Sequence, residues 1–446
     1  MAIVGERAVV CGASMAGLLA ARVLSDFYRS VTVVERDVLP GEVAQRRGVP
    51  QGRHLHQLLR PGATTLESFF PGLFDELLAA GANVVDDPSL GYVKVGRHAL
   101  TQRGPFAKPD ELKAYSVSRP LLEARVRERV RTLPNVTLVH GCDVVEPVLD
   151  SKDRITAVRV ARRGDGREHE MPADLVVDAT GRAGRTPAFL RAHGFPVPTE
   201  RRYAVDLTYA SQWLRLPDGA LPETVVVVAP TLERPTGAGL LSYEAGSSVL
   251  TMIGVAGERL ASGLPGLLQT AAECLPARIV DALRAAEPMG EVVTQHYPTS
   301  VWRRYDEVNG LPDGLLVLGD AVCSFNPVYG QGMTSAALQA TVLRRCLTEA
   351  GGDDLGRRYF RAAAKRLAPL WQANRLNDFA VWPTTGWRAA PQRLVNWYTD
   401  KLAAAAADDI VLAEAFMRMV NLLDTPAALL RPSLTMRVVS GNRRRA

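Results

Sequence analysis

The sequence predicts an α/β fold: a Rossmann-type nucleotide-binding domain, an antiparallel β-sheet domain threaded through it and a helical C-terminal region. Three observations lead there. An apolar run at 8–11 meets Gly12-Ala13-Ser14-Met15-Ala16-Gly17, a helix-prone stretch, a second apolar run at 31–34 and then Glu35. About 300 residues later, Leu315-Leu316-Val317-Leu318 ends in Gly319-Asp320-Ala321, and a polar turn leads to Gly330-Gln331-Gly332 and the helix-prone run from Met333. Between the two lie β-branched and alternating runs, and beyond residue 351 the chain reads as helices.

The first motif has the order strand, glycine turn, helix, strand, acid that a dinucleotide fingerprint requires. Gly12 makes the turn, Gly17 lets helix and strand pack, and Met15 and Ala16 open the helix beside the phosphates. Glu35, 18 residues beyond Gly17 and followed by Arg36, is placed to accept from ribose hydroxyls. Ser14 stands where the second glycine is usual, and its hydroxyl offers a donor to phosphate.

The second motif reads as a buried strand presenting a carboxylate at its tip. Gly319 turns the chain, Asp320 accepts from sugar hydroxyls, and Pro327, Gly330, Gln331, Gly332 and Met333 bring free amides to a helix start, where negative charge is favoured. An acid beside an anion-seeking helix end suits a flavin with its ribityl chain. Were Gly332 at positive φ, an alanine there would cost roughly 1–2 kcal/mol.

The stretch from Gly319-Asp320 to Gly332-Met333 resembles the second FAD-binding motif of the para-hydroxybenzoate hydroxylase superfamily of FAD-dependent monooxygenases. Its wording, with Asn326-Pro327-Val328-Tyr329-Gly330-Gln331, is most similar to squalene epoxidase-like enzymes and the polyether (monensin, lasalocid) epoxidases. The Gly-x-Ser form of the fingerprint occurs in that branch. The resemblance implies FAD as cofactor, NAD(P)H as transient reductant and O₂ as co-substrate, acting through a C4a-hydroperoxyflavin. It also assigns further cofactor-binding residues. Arg53, in Gly52-Arg53-His54, would contact the pyrophosphate; Arg119 would reach FAD from a helix start capped by Ser118; Val144 would flank the adenine. Asp178, in Asp178-Ala179-Thr180-Gly181, would either approach the cofactor or only hold its turn. Arg125, Arg127, Arg129 and Arg131 are expected to face solvent, and His54 and His56 to pack or flank the cofactor.

The resemblance divides the chain into FAD-binding segments at 1–61, 113–189 and 301–350, substrate-domain segments at 62–112 and 190–300, and a helical C-terminal domain at 351–446. Pocket candidates are Tyr329, Phe325 and Arg53; Tyr203, Tyr209, Trp213 and Tyr243 are further aromatic candidates, and only two or three of the six aromatics, Tyr329 among them, are expected to line a pocket. No single catalytic side chain is identified, because the flavin carries the chemistry. Pro383, Pro391, Pro426 and Pro432 are expected to break the C-terminal helices, whose Trp382, Trp387 and Trp397 could dock on a partner.

Composition narrows the function classes. A net charge of +6, nearly all of the basic residues being Arg, gives no nucleic-acid surface, and the tail Arg443-Arg444-Arg445 reads as a frayed terminus. Five cysteines without paired spacing suggest neither disulfides nor a metal. No apolar run has the ~18 residues a membrane span needs, so a cytoplasmic protein is expected. The reading is an FAD monooxygenase epoxidising an alkene of an apolar polyketide or terpenoid intermediate, as in antibiotic biosynthesis. Alternatives are a phenol hydroxylase of the same superfamily, a geranylgeranyl-reductase-like enzyme and a non-redox FAD-holding cyclase. A halogenase is disfavoured, because Trp-x-Trp-x-Ile-Pro is absent and lysines are few. A separate flavin reductase and the oligomeric state are left open.

Overall fold

The computed structural model describes residues 2–350, 354–380 and 389–443. At its centre is a five-stranded parallel sheet in the order Leu315–Val317, Leu175–Asp178, Gly5–Cys11, Tyr28–Glu35, Val136–His140. Cys11 pairs with Asp178, and Asp178 with Val317. The strands therefore deliver Gly12, Thr180 and Gly319 to one carboxyl edge, the edge where open α/β sheets bind ligands. The apolar runs are buried on both faces, as a parallel sheet requires. Helix Met15–Leu24 packs against Gly332–Ala350 and Arg119–Arg131, so both motif helices share one side of the sheet. A three-stranded antiparallel sheet, Cys142–Leu149, Ile155–Arg162 and Glu168–Pro172, packs beside it and carries Val144 at a bulge.

The second large sheet runs Cys323–Ser324, Val293–Arg303, Glu200–Arg215, Ser247–Gly254, Thr236–Ser242, Val225–Val228, Gly91–Val95, His98–Ala99. It is antiparallel except where Val225–Val228 pairs in parallel with Gly91–Val95. That pairing joins the two segments expected to form one roof. The expected boundary at 61/62 falls inside helix Arg60–Phe69, whose Ala63, Leu66 and Phe69 sit in the nucleotide-domain core. The one at 300/301 falls inside strand Val293–Arg303, which runs from roof to flavin motif.

Helices Leu355–Ala380, Ala389–Ala406, Ile410–Val420 and Pro432–Arg443 follow. Leu402, Leu412 and Phe416 form a separate apolar cluster with Leu100 of the roof. Of the prolines expected to break these helices, Pro426 and Pro432 stand at joins between helical segments, and Pro391 does not. Pro426 and Pro432 are first residues of helical segments and Pro391 lies in a first turn, where a missing N–H costs nothing. Pro383, Trp382, Trp387, Arg444 and Arg445 lie outside the described residues, whereas Trp397 is exposed. Among the described residues no helix is long and apolar enough to cross a membrane. All five cysteines are buried free thiols.

Two glycines separate packing from habit. A Cβ on Gly17 would stand 1.8 Å from the Gly12 carbonyl oxygen, and Gly12 itself has φ of 104°. Gly332, by contrast, is not at positive φ; the left-handed residue of its turn is Gly330 at 63°, and a Cβ on Gly332 would meet nothing nearer than Asp320 Oδ1 at 3.9 Å. The expected penalty at Gly332 is therefore withdrawn. In urea unfolding of the apoprotein, Gly17→Ala should lose about 3 kcal/mol or more, whereas Gly332→Ala should lie within about 1 kcal/mol of wild type, on the stabilising side.

Candidate cofactor and substrate site

At the sheet's carboxyl edge four buried charged side chains interlock. Glu35 Oε2 accepts from the Ala13 amide at 2.7 Å and lies 3.5 Å from Arg46 Nη1, while Oε1 accepts from the Asp37 amide at 3.0 Å. Arg46 Nε lies 2.8 Å from Glu123 Oε1. The other oxygen of Glu123 accepts from Arg119 Nε at 3.1 Å, and Arg119 Nη2 donates to Ser14 Oγ at 2.8 Å. Ser14 caps helix Met15–Leu24 without a side-chain hydrogen bond, so the first helical amides stay open, and Arg46 keeps Nε and Nη1 without a well-aligned acceptor. Arg46 and Arg119 meet on Glu123 beside the open N-terminus of helix Met15–Leu24, a donor set of the kind that suits an anion.

Across the edge, Gly319 at φ 75° turns the chain, and a Cβ there would strike Ala16 at 2.7 Å. Asp320 follows. Its carboxylate accepts no hydrogen bond among the described residues. Burial raises its pKa, opposed by the charges of Arg119 and Arg182. The turn beyond is held by Asn326, whose Oδ1 accepts from the Val328 amide at 3.0 Å, and it ends in Gly330. Gln331 Oε1 accepts from Asn374 Nδ2 at 3.0 Å, and Gly332 and Met333 open the long helix.

The remaining expected residues divide. Arg119 is buried in this network. Arg53 is turned out to solvent, and only its carbonyl is engaged, accepting from Trp213 Nε1 at 3.1 Å. The inward arginine is Arg46, seven residues earlier; the Arg46-Arg47-Gly48 step was the signal available in the sequence. Arg36 is exposed beside Asp143. Asp178 holds its own turn: Oδ1 accepts from the Thr180 amide at 2.9 Å and Oδ2 from Thr186 Oγ1. Arg127 is buried rather than solvent-facing and donates to the Pro40 carbonyl at 3.2 Å.

Above the turn lies a cavity of about 1980 Å³ between the roof sheet, residues 326–331 and the C-terminal helices. Its walls are mainly apolar, among them Val93, Val227, Ile253, Leu370, Phe416 and Met419. Of the aromatic candidates, Tyr209 and Tyr329 line it; Phe325 is core, its ring 6.4 Å from Trp371. Two polar residues of the wall stand out: Asp378, unassigned in the sequence, and His54, expected to pack or flank the cofactor. Asp378, from helix Leu355–Ala380, accepts through Oδ1 from Asn326 Nδ2 at 2.6 Å and Tyr329 Oη at 2.8 Å, while Oδ2 is buried with no well-aligned donor, the Tyr203 hydroxyl being the third donor that reaches the carboxyl. Burial raises the Asp378 pKa against the pull of those donors. His54 Nδ1 lies 2.8 Å from Ser211 Oγ, and burial pushes its pKa down. Nothing in the local sequence marks Asp378, since only the tertiary fold brings its helix to the turn.

The donor set fits FAD: two arginines and a helix end for a pyrophosphate, Glu35 for a ribose, and a free carboxylate, Asp320, for a polyol chain. The comparisons agree. Residues 8–186 match the model of the FAD dependent oxidoreductase family. Protein Rv3254 of Mycobacterium tuberculosis is 41% identical over 94% of this chain and 90% of its own length. Kynurenine 3-monooxygenase of Salinispora arenicola is 28% identical, covering 77% of this chain and 72% of that protein. Squalene epoxidase 2 of Arabidopsis thaliana is also 28% identical, covering 77% and 54%. The chain belongs to the FAD-dependent oxidoreductases. Within them it is an FAD-dependent monooxygenase, a class for which NAD(P)H is the typical reductant.

Asp320→Ala removes a charge-assisted acceptor worth roughly 1.5–3 kcal/mol, so FAD titration of the apoprotein should show about tenfold to hundredfold weaker binding. Asp378 gives a pH signature. Unfolded, its carboxyl ionises near ~3.9; folded, it holds its proton to higher pH. Between those values the native state binds the extra proton, so its stability falls as pH rises. Asp378→Asn cannot ionise. Its melting temperature should gain on wild type as pH is raised from about 4 to 8, and a gap that is flat or closes would contradict the buried-acid assignment.

Proposed function

We propose that the enzyme inserts one oxygen atom into an extended, mainly apolar substrate, epoxidising an alkene. The large apolar cavity over the flavin turn carries this reading. Ligand pockets commonly span ~300–1,000 Å³, and this one, at about 1980 Å³, has room for a long chain or a polycycle. The wording of the 326–333 turn and the likeness to squalene epoxidase 2 support it.

When bound, reduced FAD supplies the oxygen activation. The chain's own residues bind and exclude. Arg46, Arg119 and Ser14 would hold the pyrophosphate, and Asp320 the ribityl hydroxyls. The roof strands and C-terminal helices would keep water from the reacting carbon, and an alkene requires no base to take up oxygen. Hydroxylation of a phenol is the second reading, favoured by one observation: Asp378 Oδ2, beside Tyr329, is placed to take the phenolic proton.

Oxygen uptake by the holoenzyme with NADH or NADPH, measured with farnesol and with 4-nonylphenol under ¹⁸O₂, tests both. One labelled oxygen in an epoxide supports the first reading. Labelled catechol, slowed about a hundredfold or more by Asp378→Asn, supports the second. Binding of either probe without oxygen uptake would remove both and favour a non-oxygenating flavoprotein.

A further inference from the structure

Four buried polar atoms at the wall of the cavity have no well-aligned partner: His54 Nε2, His56 Nε2, Tyr209 Oη and Asp378 Oδ2. Gln295 approaches His54 and Tyr203 approaches Asp378, each in poor alignment. His54, Tyr209 and Asp378 are neighbours. The Tyr209 ring lies 5.7 Å from that of His54, and the charge of Asp378 reaches the Tyr209 hydroxyl. His54, Tyr209 and Asp378 all line the same cavity. A buried donor or acceptor left unpaired costs about 1–3 kcal/mol, and three together mark a position where an outside partner belongs.

The hydrogen bonds fix what two of these atoms offer. Leu55 N–H donates to Thr251 Oγ1 at 3.1 Å, and Thr251 Oγ1 lies 2.7 Å from Ser211 Oγ. The arrangement that leaves neither hydroxyl proton stranded runs from Thr251 to Ser211 to His54 Nδ1. Nδ1 then accepts, and the ring proton sits on Nε2. On Asp378, Oδ1 already accepts from Asn326 and Tyr329, so a proton on that carboxyl sits on Oδ2. Tyr209 carries the third O–H.

We propose that these groups form an anchoring subsite for an oxygen function, a hydroxyl or carbonyl, on the otherwise apolar substrate. His54 Nε2–H and Tyr209 O–H donate to the substrate oxygen, and Asp378 Oδ2 takes or gives its proton. The subsite rests on the monooxygenase reading and narrows it. The substrate is an oxygen-bearing lipid-like molecule, not a bare hydrocarbon, and its anchored end fixes which carbon meets the flavin.

The test is binding alone, read anaerobically as the shift of the oxidised FAD spectrum without NAD(P)H, so it stands whether or not the enzyme consumes oxygen. The probes are farnesol and β-farnesene, which share fifteen carbons and differ in the hydroxyl. Wild-type holoenzyme should bind farnesol about tenfold or more tightly than farnesene. His54→Leu should reduce that preference to within about twofold, and His54→Gln, which keeps an N–H, should restore part of it. Tyr209→Phe, a milder change, should weaken farnesol severalfold while leaving farnesene unaltered, and FAD content reports folding of each variant. Equal binding of the two probes by wild type, binding of neither, or a preference that survives His54→Leu and Tyr209→Phe would overturn the proposal.

Discussion

The buried ring of charge formed by Glu35, Arg46, Glu123, Arg119 and Ser14 is the interaction on which the rest of the site depends. It joins the fingerprint turn, the end of the second strand, the loop around residue 46 and the helix Arg119–Arg131, four pieces that share no continuous backbone. Ion pairs of this kind seldom stabilise a fold, because desolvating the charges offsets their attraction. Two carboxylates and two guanidiniums cancel one another, so the fold can tolerate them. Arg46 nevertheless retains unaligned N–H groups, and the helix from Met15 keeps its first amides open. Under the proposed reading, those open N–H groups are what a bound pyrophosphate would engage.

That network can lie close to the second motif because two helices meet without side chains between them and the turns. Gly17 sits against the Gly12 carbonyl, and Gly319 against Ala16. Each contact is closer than any Cβ allows. The parallel sheet then fixes the remaining freedom, since the Cys11–Asp178–Val317 register sets all three turns level. Asp320 is half-buried there, and its carboxylate accepts no hydrogen bond among the described residues.

The legible part of the site was the part encoded locally. Gly12, Gly17, Glu35, Gly319 and Asp320 announce themselves because backbone approach and a strand-end carboxylate leave few residue choices within a short window. Arg46 and Arg53 show the limit. Both are arginines in one glycine-rich loop, and only the path of the loop decides which turns inward. Asp378 lies further from reach, because 49 residues separate it from Tyr329 and its helix looks like any Ala- and Arg-rich helix. The roof strands were readable as strands, but the parallel join of Gly91–Val95 to Val225–Val228 was not. A pairing between distant segments leaves no local periodicity behind.

The polar end of the cavity bears on selectivity more than its volume does. Apolar walls discriminate weakly among greasy molecules, since one methylene is worth only about 1–3 kcal/mol. A site with unpaired buried donors rejects a ligand that cannot complete them far more strongly, because binding would leave those groups dry and unsatisfied. His54, Tyr209 and Asp378 would supply that second kind of discrimination in the cavity wall, while Tyr329 and Asn326 tie the Asp378 carboxyl to the flavin turn itself. A substrate oxygen engaged there is held in register with the cofactor through the protein's own hydrogen bonds. Registration of the reacting carbon, rather than affinity for the chain as a whole, is the property a monooxygenase with so large a cavity requires.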